Sequence, residues 1–289
     1  MPNKAVVVTG CSSGIGRAVA THLATLGYPV FATVRRERDA AALAELGIDC
    51  LIPLAPLDLT TRDHLEPIVE RVAAELGRRG LGGLYALINN AGGGGPAPIE
   101  LLDLVVLQRE LQTRVVGAVA LVQALLPFLR AGQGRVLGIA TPALVPTPYV
   151  ASIHAADFAV NCIARTLDIE LQRWRIPNVL VRCGGIRTPA GLRTTQDVED
   201  LLSRVEPDRA ELYAPELAAW ATEMAEFDER RTDVARVAAV VERALRAKVP
   251  KRRYSVGHMA RLAAVLELLP QGLADLILRR RFAPRRAPH

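Results

Sequence analysis

The run Thr9-Gly10-Cys11-Ser12-Ser13-Gly14-Ile15-Gly16 has the residue types and spacing of a phosphate cradle. Glycines let a backbone turn tightly and approach a pyrophosphate, and a helix starting there offers unbonded N–H groups and the positive end of its dipole. An apolar run, Ala5–Val8, precedes the turn and a helical pattern follows it, which is the setting such a cradle needs. The spacing is GxxxGxG rather than GxGxxG, and an ordinary strand–helix turn is the alternative. A second chemical signal closes the next apolar run, where Arg35 and Arg36 stand with no carboxylate before Glu37. A carboxylate there would bind the ribose hydroxyl of NAD, whereas arginine accommodates the extra phosphate of NADP. The pair points to NADP(H) in preference to NAD(H), with a solvated basic turn as the alternative.

Holding those groups in place takes strands and helices in alternation. Apolar, β-branched runs at Ala5–Thr9, Val30–Val34, Cys50–Leu54, Tyr85–Asn89, Arg135–Ile139 and Asn178–Cys183 read as strands. Between them lie helical patterns at Gly14–Leu26, Asp39–Leu46, Thr60–Leu76, Leu104–Leu126 and Tyr149–Arg173. Non-alternating apolar strands separated by helices predict an α/β fold: a doubly wound, Rossmann-type parallel sheet in three layers. One domain over residues 1–289 is expected. Within it, residues 190–228 form an inserted substrate-covering region, and 259–289 form an apolar helix (Met259–Leu278) followed by a basic tail. A helix at Asp233–Arg246 and a short strand at Tyr254–Val256 precede that helix.

Composition narrows the function. The chain has 289 residues, 50% hydrophobic and 23% charged, enough for a sizeable core. Net charge is +6, of which Arg279, Arg280, Arg281, Arg285 and Arg286 supply +5, so the rest is near neutral. With 4% aromatic residues there is neither a basic face nor a set of stacking platforms for nucleic acid. The tail could touch acidic lipid or RNA, or fray in solvent. Cys11, Cys50, Cys162 and Cys183 form no CxxC, so reduced thiols and no metal site are expected. Met1–Gly14 does not fit a signal peptide, and the apolar stretches carry charges or prolines. The expectation is a cytoplasmic chain with no membrane span.

The sequence resembles the short-chain dehydrogenase/reductase family, in its hydroxysteroid and retinol dehydrogenase-like branch. TGxxxGxG is joined by Asp58-Leu59 after the third strand, by Asn89-Asn90-Ala91-Gly92 after the fourth, and by Gly184 and Thr188 after the sixth. Lys251-Arg252-Arg253-Tyr254-Ser255-Val256-Gly257 looks like the branch's closing strand. The resemblance implies that Asp58 and Leu59 lie near the adenine and that Asn90, Ala91 and Gly92 steady the sheet beside the cofactor. It also implies that Gly184 and Thr188 hold the nicotinamide end. The substrate would be a small molecule, an apolar or polycyclic carbonyl or hydroxyl compound. A homodimer would pair the two long helices across a two-fold axis.

The catalytic positions depart from the family. Tyr149-Val150-Ala151-Ser152-Ile153 aligns with YxxSK, so the tyrosine is present and isoleucine replaces lysine. On a continuous helix, positions 149 and 153 share a face, which would put Ile153 in the site. Arg114 stands at the family's asparagine and Thr141 is the hydroxyl nearest its serine. Two readings compete. In one the site is rebuilt, with Tyr149 as acid–base group, Arg114 as the missing cation beside it and Thr141 as hydrogen-bonding partner. In the other the chain is a silent scaffold or partner subunit. A non-redox variant of the first keeps Tyr149 as acid or base. His154 reads as a packed histidine.

Overall fold

The computed structural model describes residues 3–142 and 146–282; Arg285 and Arg286 of the expected tail lie outside them. Seven strands are β1 (Ala5–Thr9), β2 (Val30–Thr33), β3 (Leu51–Leu54), β4 (Leu84–Asn89), β5 (Arg135–Ala140), β6 (Asn178–Cys183) and β7 (Arg253–Val256). They form one sheet in the order β3-β2-β1-β4-β5-β6-β7, and every pairing is parallel. Every residue of β1, β2, β5 and β6 is buried, because helices cover both faces. That is why these strands read as unbroken apolar runs.

On one face α1 (Gly14–Thr25), α2 (Glu37–Ala44) and α9 (Val234–Arg246) contribute Val19, Leu23, Leu43, Val237 and Val241 to a shared core. On the other, α3 (Leu65–Arg78) and α5 (Ala118–Ala131) contribute Ile68, Val72, Leu121 and Leu125, with α6 (Ala151–Glu170) beside them. The strand order reverses between β1 and β4, and ligand crevices of such sheets open at that switch point. The glycine turn leaves β1 into it.

Three expected helices differ in the structure. The Leu104–Leu126 run is α4 (Leu104–Leu111), a π turn over Gln112–Gly117, and α5. The wide turn lets Gly117 pack directly on the Leu59 backbone, where any side chain would collide. By length and composition alone Leu104–Ala131 could cross a membrane. In this fold Leu121, Val122, Leu125 and Leu129 are its buried stripe, and they pack into the sheet core.

Tyr149 does not begin α6. The helix starts at Ala151, and Tyr149 has φ +67°, with its carbonyl accepting the Ala97 N–H at 2.6 Å. Pro148 disfavours helix at the residue before it, and a left-handed residue cannot continue one. The third difference is at the C-terminus. Pro270 divides the expected single helix into α10 (Ala260–Leu266) and α11 (Gln271–Arg281).

Region 190–228 folds as α7 (Thr194–Leu202) and most of α8 (Pro207–Glu229). Val198, Leu217 and Trp220 make a small core of their own, seated on Tyr149 and Val150. Arg209 and Tyr213 of α8 bond Glu100 below, at 2.5 and 2.7 Å, and tie this region to the segment after β4.

Candidate active site

The glycine turn is built as a cradle. Gly10 has φ +71° and Gly14 φ +54°, both in the left-handed region that favours glycine. Gly16 touches the Gly10 carbonyl so closely that a Cβ could not fit, which presses α1 onto the turn. Asn90 holds the turn from β4: its Nδ2 donates to the Thr9 carbonyl at 2.9 Å and to the Gly10 carbonyl at 3.3 Å. Thr9 Oγ1 accepts the N–H groups of Asn90 and Ala91 at 2.9 and 3.0 Å. Ser12 and Ser13 are exposed, and Ser13 caps α1 without using its hydroxyl. Both hydroxyls are left for a ligand. Thr188 rests over Gly14, bringing the loop after β6 across the turn. Its Oγ1 accepts the Gly191 N–H at 3.1 Å.

At the end of β2 and after β3 lie the next polar groups. Arg35 and Arg36 are exposed, and no ion pair of theirs occurs among the described residues. Asp58 accepts the Thr60 N–H and hydroxyl at 2.9 and 2.7 Å. Partial burial works against ionisation, but the Thr60 bonds and the nearby Arg35 charge hold the Asp58 carboxyl below its usual range. Leu59 is buried beside it.

Under the loop Gly92–Gly95 lies a cluster of charges. Asp157 of α6 is fully buried and accepts from Thr141, N–H at 2.7 Å and hydroxyl at 2.6 Å. Its other oxygen takes the Arg114 guanidinium, Nε at 3.1 Å with Nη2 closer still. The Arg114 side chain runs against Gly92, where a Cβ would meet it at 2.5 Å. Glu110, one turn before Arg114, accepts the Gly93 N–H at 2.9 Å, and its second oxygen is buried without a hydrogen-bond partner. Burial pushes the Glu110 carboxyl above its usual range, against the pull of Arg114 at 4.0 Å. His154 Nδ1 accepts the Thr147 N–H at 3.3 Å, and burial lowers its pKa, so it is a neutral, packed imidazole.

Arg114 and Thr141 therefore meet, through Asp157. Tyr149 makes no hydrogen bond to either among the described residues. Its ring packs edge-on against Trp220, with centroids 5.6 Å apart. Burial, and then the charge of Glu216, raise its phenol above the ordinary value. Arg114 is held by Asp157, and Tyr149 lies before the helix with its ring under α8. Ile153 faces Gly94 beside Ser152. Sequence reasoning missed Asp157 and Glu110. Both carried a signal, an acid one turn after Ile153 in an apolar stretch and an acid one turn before Arg114.

The chain matches the family described as short chain dehydrogenase over residues 4–199, and it belongs to that family. It is 29% identical to estradiol 17-beta-dehydrogenase 2 of Rattus norvegicus, over 99% of this chain and 76% of that protein. It is also 29% identical to 3-amino-tetrahydro-pyrrolizinone reductase of Xenorhabdus hominickii, over 90% of this chain and 89% of that one. In fold it is similar to a short-chain dehydrogenase from Streptomyces avermitilis, with a TM-score of 0.74 at 22% identity over 98% of both chains.

Proposed function

We propose that this chain is an NADP(H)-dependent oxidoreductase acting on an apolar hydroxyl compound, with the substrate-oxygen contact made by Thr141. The glycine turn carries the cofactor half of this reading: Gly10, Gly14 and Gly16 let the chain turn tightly at the start of α1 beside the idle Ser12 and Ser13 hydroxyls, and Arg35 and Arg36 are available to a 2′-phosphate. Leu59, Asn90, Ala91 and Thr188 frame the same crevice. NADP(H) would supply or accept the hydride when bound. Thr141 donates to Asp157 and offers a lone pair to a substrate hydroxyl, so on oxidation the hydroxyl proton passes to Thr141 Oγ1 while the Thr141 proton passes to the Asp157 carboxylate. The apolar faces of α7 and α8 supply a cover that excludes water.

Titration with NADPH and NADH tests the cofactor half. NADPH should bind at least about tenfold tighter, and Arg35→Asp should erase the difference. Equal affinities would refute it. Loss of alcohol-dependent NADP reduction in Thr141→Val, with NADPH affinity retained, tests the catalytic half.

A second reading, a cofactor-binding partner subunit without turnover, is favoured by Ile153 at the lysine position and by Tyr149 against Trp220. Tight NADPH binding with no turnover across a panel of apolar ketones and alcohols would select it. In either case we infer a homodimer through α4 and α6, where Leu104, Val105, Phe158 and Ile169 are exposed. A monomeric mass by light scattering at micromolar concentration would refute that.

A further inference from the structure

The C-terminal pair of helices, α10 and α11, leaves an apolar face without a partner among the described residues. Leu262, Val265, Leu268, Leu273, Leu276 and Ile277 of α10, α11 and the turn between them are exposed, Leu268 by 83%. No residue of α11 is buried. An apolar run of this size on a surface marks a docking site.

The charges around it select the occupant. A groove of about 520 Å³ runs beside the edge strand β7, between α9 and α10. Arg236 and Arg243, two turns apart on α9, line it with His258 and Arg261, and no acid does. All three arginines are exposed, and none forms an ion pair among the described residues. Arg279 and Arg280 follow at the end of α11. Of the helix pair's two acids, Glu267 is buried on Arg182, with Arg253 at 3.7 Å, and Asp275 is half-buried. A second copy of this chain related by a two-fold axis would bring arginine toward arginine. A surface of phosphate headgroups over acyl chains complements both features at once.

We propose that α10, α11 and the α9–β7 groove dock this chain onto an anionic membrane surface, with the leucines in the acyl boundary and the arginines on headgroup phosphates. The helix pair is held for that task by the Arg182–Glu267 pair beneath it and by Arg281 bonded to Glu223 of α8 at 3.1 Å. The proposal stands apart from the oxidoreductase reading, since it needs neither cofactor nor turnover.

Co-sedimentation of the full chain with vesicles tests it. Phosphatidylcholine vesicles containing about 30% phosphatidylserine should bind the chain at least about fivefold better than phosphatidylcholine alone, and high salt should release it. Leu268→Glu and Arg261→Glu, both at exposed positions, should each weaken binding about fivefold with the melting temperature unchanged. Absence of binding, equal binding to both vesicles, or variants that bind like the parent chain would overturn the proposal. So would a dimer that Leu268→Glu dissociates in the absence of vesicle binding, which would assign the face to a second copy.

Discussion

Arg114 and Asp157, 43 residues apart in the chain, form a buried ion pair that joins the π turn between α4 and α5 to the middle of α6. The pair fixes what each partner can do. Arg114 bonds Asp157 through Nε and Nη2, and makes no hydrogen bond to Tyr149 among the described residues. Asp157 stays an acceptor, so the Thr141 hydroxyl has its proton committed. Asp157 is thus the acceptor that Arg114 and Thr141 share.

Breaking this pair on one side should be costly, and removing it whole should not. Asp157→Ala leaves a guanidinium buried without its partner, and urea denaturation should show a loss of about 3–5 kcal/mol. Arg114→Met combined with Asp157→Leu should recover most of that loss. Additive losses in the double variant would show that the two side chains do not act as a pair.

Glu110 should give the fold a pH dependence of definite sign. Its carboxyl is buried, facing Arg114 and Asp157, and its folded pKa is raised mainly by that burial. As pH rises through the ordinary carboxyl value, the unfolded chain releases its proton first, so this group's contribution to stability falls until the raised folded value is passed. Glu110→Gln keeps an acceptor for the Gly93 N–H and removes the titration. Thermal melts from about pH 4 to about pH 7 should show the variant gaining on the parent chain. A constant difference across that range would contradict the assignment.

The C-terminal helix pair should come loose when Glu267 is removed. Arg182 is 2% exposed, and burial brings its pKa down to about 10, so it depends on Glu267. Glu267→Ala should cost about 3–5 kcal/mol and open Arg279–Arg281 to trypsin well before the sheet unfolds. Cleavage at an unchanged rate would show that other contacts hold the helix pair.

Much of the fold was legible because local signals and tertiary burial agree. Strands such as Ala5–Thr9 and Asn178–Cys183 are apolar throughout, as strands covered on both faces must be, and the structure gives the same bounds. The glycine turn was legible for a similar reason: Gly10, Gly14 and Gly16 answer to local backbone geometry. Legibility failed where one residue's conformation decides the outcome. The apolar period of Tyr149–Arg173 carries no sign that Tyr149 takes a left-handed φ, and that of Met259–Leu278 runs through the break at Pro270. Asp157 was missed because its importance comes from Arg114 and Thr141, which only the folded chain brings to it.

The consequence for Ile153 can be tested directly. If the residue had shared a helix face with Tyr149, restoring lysine would rebuild the family's Tyr–Lys pair and a generic ketone reductase with it. Tyr149 instead lies outside α6, its ring against Trp220 and its phenol raised by burial and by Glu216. A lysine at 153 would sit beside Ser152 and Gly94, close to Glu110, and would find that carboxyl before it found the phenol. Ile153→Lys should therefore give no measurable NADPH-dependent reduction of simple ketones. It should lower the Glu110 pKa, read as a weaker gain of Glu110→Gln over its parent at neutral pH in that background. Reductase activity appearing in Ile153→Lys alone would mean that the Tyr149 ring leaves Trp220 for the site at little cost. The family's proton donor would then be one substitution from working.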